Sequence, residues 1–153
     1  MISKKYRISN SSRVEIVKNF GKKVYSPFLK VSFLPNGLNY QRFAVVVSTK
    51  VCKISVYRNY VRRAIMEGSR RSLLHCQFGA DIVFFVLNSI NKKKYEEIVA
   101  ECEMILKKVQ ILFHKIKLPI NPSFETKPNY RKRLYSPLVL ALKKTKYKNS
   151  SNI

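Results

Sequence analysis

Acidic residues are scarce in this chain of 153 residues, which has 8 Asp and Glu against 31 Lys and Arg. The formal charge of +23 points to polyanions as partners, because a domain this basic repels itself and other cations. The composition therefore favours binding of nucleic acid or of a ribosome over small-molecule metabolism as the main activity. On charge alone, an anionic membrane surface stays open as a partner.

The groups that usually build an active site are also few. Asp81 is the only aspartate, which excludes a two-metal site made of paired aspartates. With four glycines the chain has no glycine-rich phosphate loop, and its three widely spaced cysteines indicate reduced thiols rather than a metal site. His75 and His114 lie far apart and are typical of surface residues. We predict no catalytic residue and no metal site in the protein itself.

Long apolar segments are missing as well. The longest, residues 82–87, is far shorter than the ~20 residues that span a bilayer. The N-terminal lysines are not followed by the apolar segment of a secretory signal. Residues 138–142 offer too few apolar side chains for stable anchoring to a membrane surface. We expect a cytoplasmic protein without a membrane partner, and we infer no protein partner.

Apolar periodicity and turn residues divide the chain into helices and strands. Helices are predicted at residues 12–20, 56–74 and 91–116, with Ser12 as the cap of the first and Asn91 as the cap of the third. Strands are predicted at residues 28–34, 42–48 and 81–87. In the first strand, apolar residues alternate with Lys30 and Ser32, which predicts burial on one face only. The fold class is α+β in a single domain over residues 1–118, in the order α-β-β-α-β-α with room for one more strand.

The end of the chain differs in character from the rest. Residues 119–153 are interrupted by four prolines and are rich in lysine and arginine, with Glu125 as the single acid. We expect a basic C-terminal tail that is mostly disordered.

The helix predicted at 56–74 concentrates arginine on one face. At 100° per residue its polar face holds Arg58, Asn59, Arg62, Arg63 and Arg70. Guanidinium groups bind phosphate in a bidentate manner, so this face is suited to a nucleic-acid backbone. The alternative, a merely solvated face, is weakened because these arginines are expected to lack acidic partners four residues away in the sequence. The loop before the helix extends the predicted RNA-binding surface by Ser48, Lys50 and Lys53.

The order of these residues resembles a known signature. Ser48-x-Lys50, then Arg58-Asn59-x-Val61-Arg62-Arg63, then Glu67 and Arg70, is similar to the central motif of the bacterial ribonuclease P protein subunit. Segments 21–27, 79–83 and 95–97 extend the resemblance to about three-quarters of the chain. Tyr60 and Met66 stand where the family usually has arginine. Val14 and Lys18 stand where its first helix has an aromatic pair.

The resemblance implies both a fold and a function. The fold is an α/β sandwich like the second domain of ribosomal protein S5, with a left-handed β-α-β crossover. The function is removal of the 5′ leader from precursor tRNA by a ribonucleoprotein, in which Mg²⁺ and a catalytic RNA carry out the chemistry and the protein binds that RNA and the leader. The leader cleft is expected on the opposite sheet face, with Val14, Lys18, Lys30 and Ser32 as candidates. A structural ribosomal protein or an RNA chaperone without a role in cleavage is the alternative interpretation.

Overall fold

A computed structural model of the chain describes residues 2–75 and 78–115. In chain order it contains a 3₁₀ turn at Lys4–Tyr6, helix α1 (Ser11–Phe20), strands β1 (Lys22–Tyr25), β2 (Leu29–Pro35) and β3 (Arg42–Val46), helix α2 (Ser55–Leu73), strand β4 (Ala80–Val86), a 3₁₀ turn at Asn88–Ile90 and helix α3 (Tyr95–Lys115). The α+β class and the order of the elements are confirmed. The tail predicted at 119–153 lies outside the described residues.

The additional strand is β1, which the apolar pattern did not reveal. Val24 is its only buried residue, because β1 lies at the edge of the sheet and carries lysines at two of its four positions. A strand so short and so polar has no period-two signal above that of a loop.

The four strands form one sheet in the order β1-β2-β4-β3. Neighbours pair antiparallel except for β3 and β4, which are parallel. A parallel pair needs a long crossover connection, and α2 provides it. The left-handed sense that the family resemblance implies for this crossover stays a prediction.

One face of the sheet carries the main core. Val31, Phe33 and Phe84 point to this face and belong to one apolar cluster with residues of α2 and α3. The two helices pack closely at Gly68, where an added Cβ would lie 2.7 Å from the Cβ of Cys102. A side chain at position 68 would therefore push α3 away from α2.

The other face of the sheet is covered in part by α1. Ser32 and Leu34 point to this face and are nevertheless buried, because α1 packs over β2 and β4 there. The prediction of a strand buried on one face only was therefore wrong for β2. Alternation in one strand does not show whether a distant helix covers its polar side.

Two predicted helix caps were also wrong. Helix α1 begins one residue earlier than expected, and its cap is Asn10, whose side chain accepts a hydrogen bond of 3.0 Å from the Ser12 amide. Asn91 lies four residues before α3 begins, and its side-chain amide donates to the Val51 carbonyl at 3.4 Å. Asn10 bonds to a backbone group two residues on, whereas Asn91 bonds to one 40 positions away in the sequence, which no local spacing could identify.

Candidate nucleic-acid interface

Helix α2 separates a buried face from an exposed face, as its periodicity predicted. Val61 and Ile65 are fully buried in the core. Asn59, Arg62 and Arg63 are exposed on the opposite side of the helix. The Asn59 carboxamide accepts a hydrogen bond of 3.3 Å from Arg62, one turn along the surface. These three residues and Arg58 are called the arginine face below.

Arg58 also organises the loop that precedes α2. Its Nη1 donates to the carbonyls of Cys52 and Lys53 at 2.9 and 2.8 Å. Earlier in the loop, the Ser48 hydroxyl accepts from the Lys50 amide at 3.2 Å. With its backbone held in this way, the loop presents the exposed side chains of Ser48, Lys50 and Lys53 beside the start of α2.

Arg70 has an acidic partner three residues away, at a spacing that the expectation for this helix did not consider. Its guanidinium donates to both carboxylate oxygens of Glu67 at 2.9 and 2.6 Å, and Arg71 donates to the same carboxylate at 3.2 Å. These hydrogen bonds, that of Arg70 above all, lower the pKa of Glu67 to about 2. Glu67 is therefore ionised at neutral pH and offsets positive charge near the end of α2.

Tyr60 stands where the family usually has arginine, but its side chain packs against other tyrosine rings. Its ring stacks on Tyr57 at a centroid distance of 5.5 Å and meets Tyr95 of α3 edge to face at 5.6 Å. The Tyr57 hydroxyl donates to the carbonyl of Ile90 at 2.8 Å. This tyrosine cluster connects α2 to α3 and its preceding turn, so packing accounts for Tyr60.

The candidate residues for a leader cleft separate into two groups. Lys18 is exposed on α1, and Val14 and Lys30 are half-buried. Ser32 is fully buried and cannot border a surface cleft, which corrects its assignment. Helix α1, which carries Val14 and Lys18, packs against β2 and β4 on this face of the sheet.

An open row lies on this same sheet face, beyond the part that α1 covers. The strand register places Tyr25, Lys30, Phe85 and Val46 side by side across all four strands. Tyr25 is 61% exposed and Val46 37%. The Lys30 ammonium lies 5.8 Å from the Tyr25 ring centroid and 5.7 Å from that of Phe85. Sequence reasoning missed Tyr25 because β1 was not detected, and Phe85 because its continuous apolar strand suggested burial on both sides.

A buried ion cluster joins α1 to the sheet, four strand positions away from this row. Arg42 donates to both oxygens of Asp81 at 2.8 Å, Arg13 of α1 pairs with the same carboxylate, and Asn36 adds a hydrogen bond of 3.0 Å. Burial opposes ionisation of Asp81, but the bonds and charges of the arginines outweigh it, so its pKa is lowered. Asp81 thus holds α1 against the sheet.

Neither a metal site nor a membrane span is formed by the part of the chain that the structure describes. No three side chains among its His, Cys, Asp and Glu residues come close enough to hold a metal ion. None of its helices is long and apolar enough to cross a membrane.

Comparison with known proteins decides the family. A family model described as Ribonuclease P matches residues 2–110. The chain belongs to this family. A ribonuclease P protein component of Caldanaerobacter subterraneus subsp. tengcongensis is 30% identical over 115 residues, covering 75% of this chain and 98% of the relative. That of Clostridium botulinum strain 657 is 36% identical over 109 residues, covering 71% and 97%.

Solved structures agree on the fold. The RNase P protein of Staphylococcus aureus superposes with a TM-score of 0.63 at 23% identity, covering 69% of this chain and 96% of the other. That of Thermotoga maritima gives 0.61 at 23%, covering 67% and 96%. As a ribonuclease P protein component, the chain is part of the ribonucleoprotein that cleaves precursor tRNA at its 5′ end. Because the chain belongs to this family, the alternative interpretation as a structural ribosomal protein or RNA chaperone no longer holds.

Proposed function

We propose that the chain binds the catalytic RNA of ribonuclease P through the arginine face and the loop at 48–53. The observation that carries this proposal is the exposed charge of that surface: within the described residues, no ion pair joins Arg58, Arg62 or Arg63 to a carboxylate. Glu15 is the only acid before Glu67 in the sequence. RNA phosphates can supply the negative charge for these guanidinium groups, which bind phosphate in a bidentate manner.

Phosphate contacts of this kind position an RNA without reading its sequence. Each phosphate that a lysine or arginine neutralises releases counterions and reduces repulsion between neighbouring RNA segments. The described residues do not fit a protein-held magnesium site, since the only aspartate is buried between two arginines. We therefore assign Mg²⁺ to the RNA, and the protein's part is to bind and to orient. Because the substrate is tRNA, we place the complex in the cytoplasm.

The leader of precursor tRNA is proposed to lie on the open row. Tyr25 and Phe85 offer ring surfaces on which unpaired bases stack, and Lys30 between them supplies a charge for the backbone. Lys18 on the exposed side of α1 provides a second phosphate contact. Stacking on these two strand residues takes the place of an aromatic pair on α1.

Reconstitution tests the role in cleavage. The full chain is mixed with a bacterial ribonuclease P RNA and a precursor tRNA, and cleavage is measured against Mg²⁺ concentration. We expect the protein to lower the Mg²⁺ requirement of the RNA and to cleave nothing by itself. Cleavage by protein that is rigorously free of RNA, or an unchanged Mg²⁺ requirement, would contradict the proposal.

A second experiment tests the leader contact. We expect Lys30→Ala and Tyr25→Ala to weaken binding of precursor tRNA by the reconstituted complex, but not binding of mature tRNA. Tyr25→Phe keeps the ring and should behave as the wild type. Lys108→Ala, which removes an exposed lysine from α3, is the matched control for charge. If binding of precursor and mature tRNA weakened equally, Lys30 would not contact the leader.

A further inference from the structure

A small pocket lies next to the first residue of β3. The loop at 48–53 lies at the other end of this strand. Its volume is about 250 Å³, and it is lined by Lys5, Tyr6, Asn39, Tyr40, Gln41 and Leu73. The N-terminal segment reaches it by pairing with β3, where the Ile8 amide donates to the Phe43 carbonyl at 2.9 Å. Neither the arginine face nor the open row includes this pocket.

Two tyrosine rings and one ammonium form its wall. The rings of Tyr6 and Tyr40 meet edge to face, with centroids 5.6 Å apart and planes at 88°. The Lys5 ammonium lies 4.5 Å from the centroid of Tyr40 and 5.5 Å from that of Tyr6. Tyr6 also packs against the main core, which restrains its ring. The pocket therefore presents aromatic surface and a positive charge side by side.

The charge of the pocket is not offset locally. No carboxylate is among its lining residues, and in the part of the chain covered by the structure Lys5 forms no ion pair. The nearest acid along α2, Glu67, is already bonded to Arg70 and Arg71. At about 250 Å³ the pocket is smaller than the ~300–1,000 Å³ typical of drug-sized ligands, so it suits a single ring system.

We propose that this pocket binds one unpaired nucleotide of the RNA subunit, with the base against the tyrosine rings and the phosphate on Lys5. Aromatic rings accept any base by stacking, and a lysine beside them attracts the backbone. The inference rests on the proposed function, because it requires RNA to cover α2. Leu73 is the last residue of that helix, so the pocket continues the surface that begins at the loop at 48–53.

Geometry favours the RNA subunit over the leader as the source of the nucleotide. The 19 residues of α2 extend about 28 Å, the distance over which one RNA could contact the loop, the arginine face and the pocket. The open row contains Val46, the last residue of β3, whereas Gln41 of the pocket precedes its first residue. The two sites thus lie at opposite ends of this strand.

Binding of the full chain to a bacterial ribonuclease P RNA, measured against salt, tests the pocket. We expect Tyr40→Leu to weaken binding about tenfold with an unchanged salt slope, because stacking of a base contributes affinity without releasing counterions. Tyr40→Phe should stay within about twofold of the wild type. Lys5→Gln should lower the salt slope by about one unit, and Lys108→Gln is its control.

Photo-crosslinking with mass spectrometry supplies a readout that does not depend on folding of the variants. We expect a nucleotide of the RNA subunit on the peptide that contains Tyr6 or Tyr40. A crosslink to the leader of precursor tRNA would overturn the choice of RNA. Wild-type affinity and slope in both Tyr40→Leu and Lys5→Gln, without a crosslink, would show that the rings merely attach the N-terminal segment. If Arg62→Ala still weakens binding in that case, only the pocket assignment fails; if the wild type does not bind the RNA, the proposed function fails.

Discussion

The arginines of the ion cluster and those of the arginine face have different roles. Arg13 and Arg42 converge on Asp81, whose side chain is 0% exposed, and their guanidinium groups join α1 to the sheet. Arg62 and Arg63 project from α2 into solvent, and none of the described ion pairs involves them. The first pair is structural, and the second is available to a partner.

A single acidic residue makes the difference in each region. Asp81 pairs with Arg13 of α1 and Arg42 of β3, and Glu67 pairs with Arg70 and Arg71 at the end of α2, so each carboxylate offsets one of two positive charges. Where no carboxylate is close, the guanidinium keeps its capacity for phosphate. In a chain with so few acids, the position of each one therefore separates structural cations from binding cations. Four predictions test this comparison.

The largest effect is expected from Asp81→Asn, which leaves Arg13 and Arg42 without their carboxylate. Breaking a buried ion pair by removing one partner typically costs 3–5 kcal/mol; because the two arginines are 15% and 31% exposed, we expect about 3 kcal/mol less unfolding free energy. Urea denaturation measures the loss. A loss below about 1 kcal/mol would show that the cluster is no more than a surface pair.

Acid should weaken the same cluster. The pKa of Asp81 is lowered from 3.8, so its stabilising contribution is fully present above that value and is lost as the pH falls through the folded pKa. We expect the difference in unfolding free energy between the wild type and Asp81→Asn to be constant near neutral pH and to shrink below about pH 4. A difference that stays constant into strong acid would contradict a charged, paired Asp81.

On the arginine face, Arg62→Ala should change RNA binding and leave stability almost unchanged. We expect several-fold weaker binding to the catalytic RNA and a salt slope lower by about one unit. Arg71→Ala is the matched control on the same helix, because Arg71 pairs with Glu67 and with Glu103 at 3.6 Å. Equal effects of the two substitutions would mean that local pairing does not decide which arginines bind RNA.

The smallest effect is expected from Glu67→Gln, which releases Arg70 and Arg71 from their shared carboxylate. RNA affinity should rise, and the salt slope should increase by at most about one unit. Thermal unfolding of the same variant shows whether the helix tolerates the change, since exposed pairs contribute little to stability. Weaker binding with an intact fold would show that Glu67 positions these arginines for RNA instead of competing with it.

Much of this interface was predictable because its signals are local. Helical periodicity separates the buried Val61 and Ile65 from the exposed Arg62 and Arg63, and neighbouring turns of one helix do not depend on the rest of the fold. The contact of Arg70 with Glu67 is equally local, at a spacing of three residues, and could have been predicted from the sequence.

Other features required contacts between distant parts of the chain. Burial of Ser32 depends on α1 packing over β2, and the open row of Tyr25, Lys30, Phe85 and Val46 depends on the pairing of all four strands. Asp81 meets Arg13 across 68 positions of sequence. The sequence by itself thus determined the fold class, the family motif and the charge of α2, because each is carried by residue type and short spacing. Tertiary structure alone decided that Arg13 and Arg42 pair with one carboxylate and which part of the sheet stays open, because those outcomes depend on which remote side chains come together.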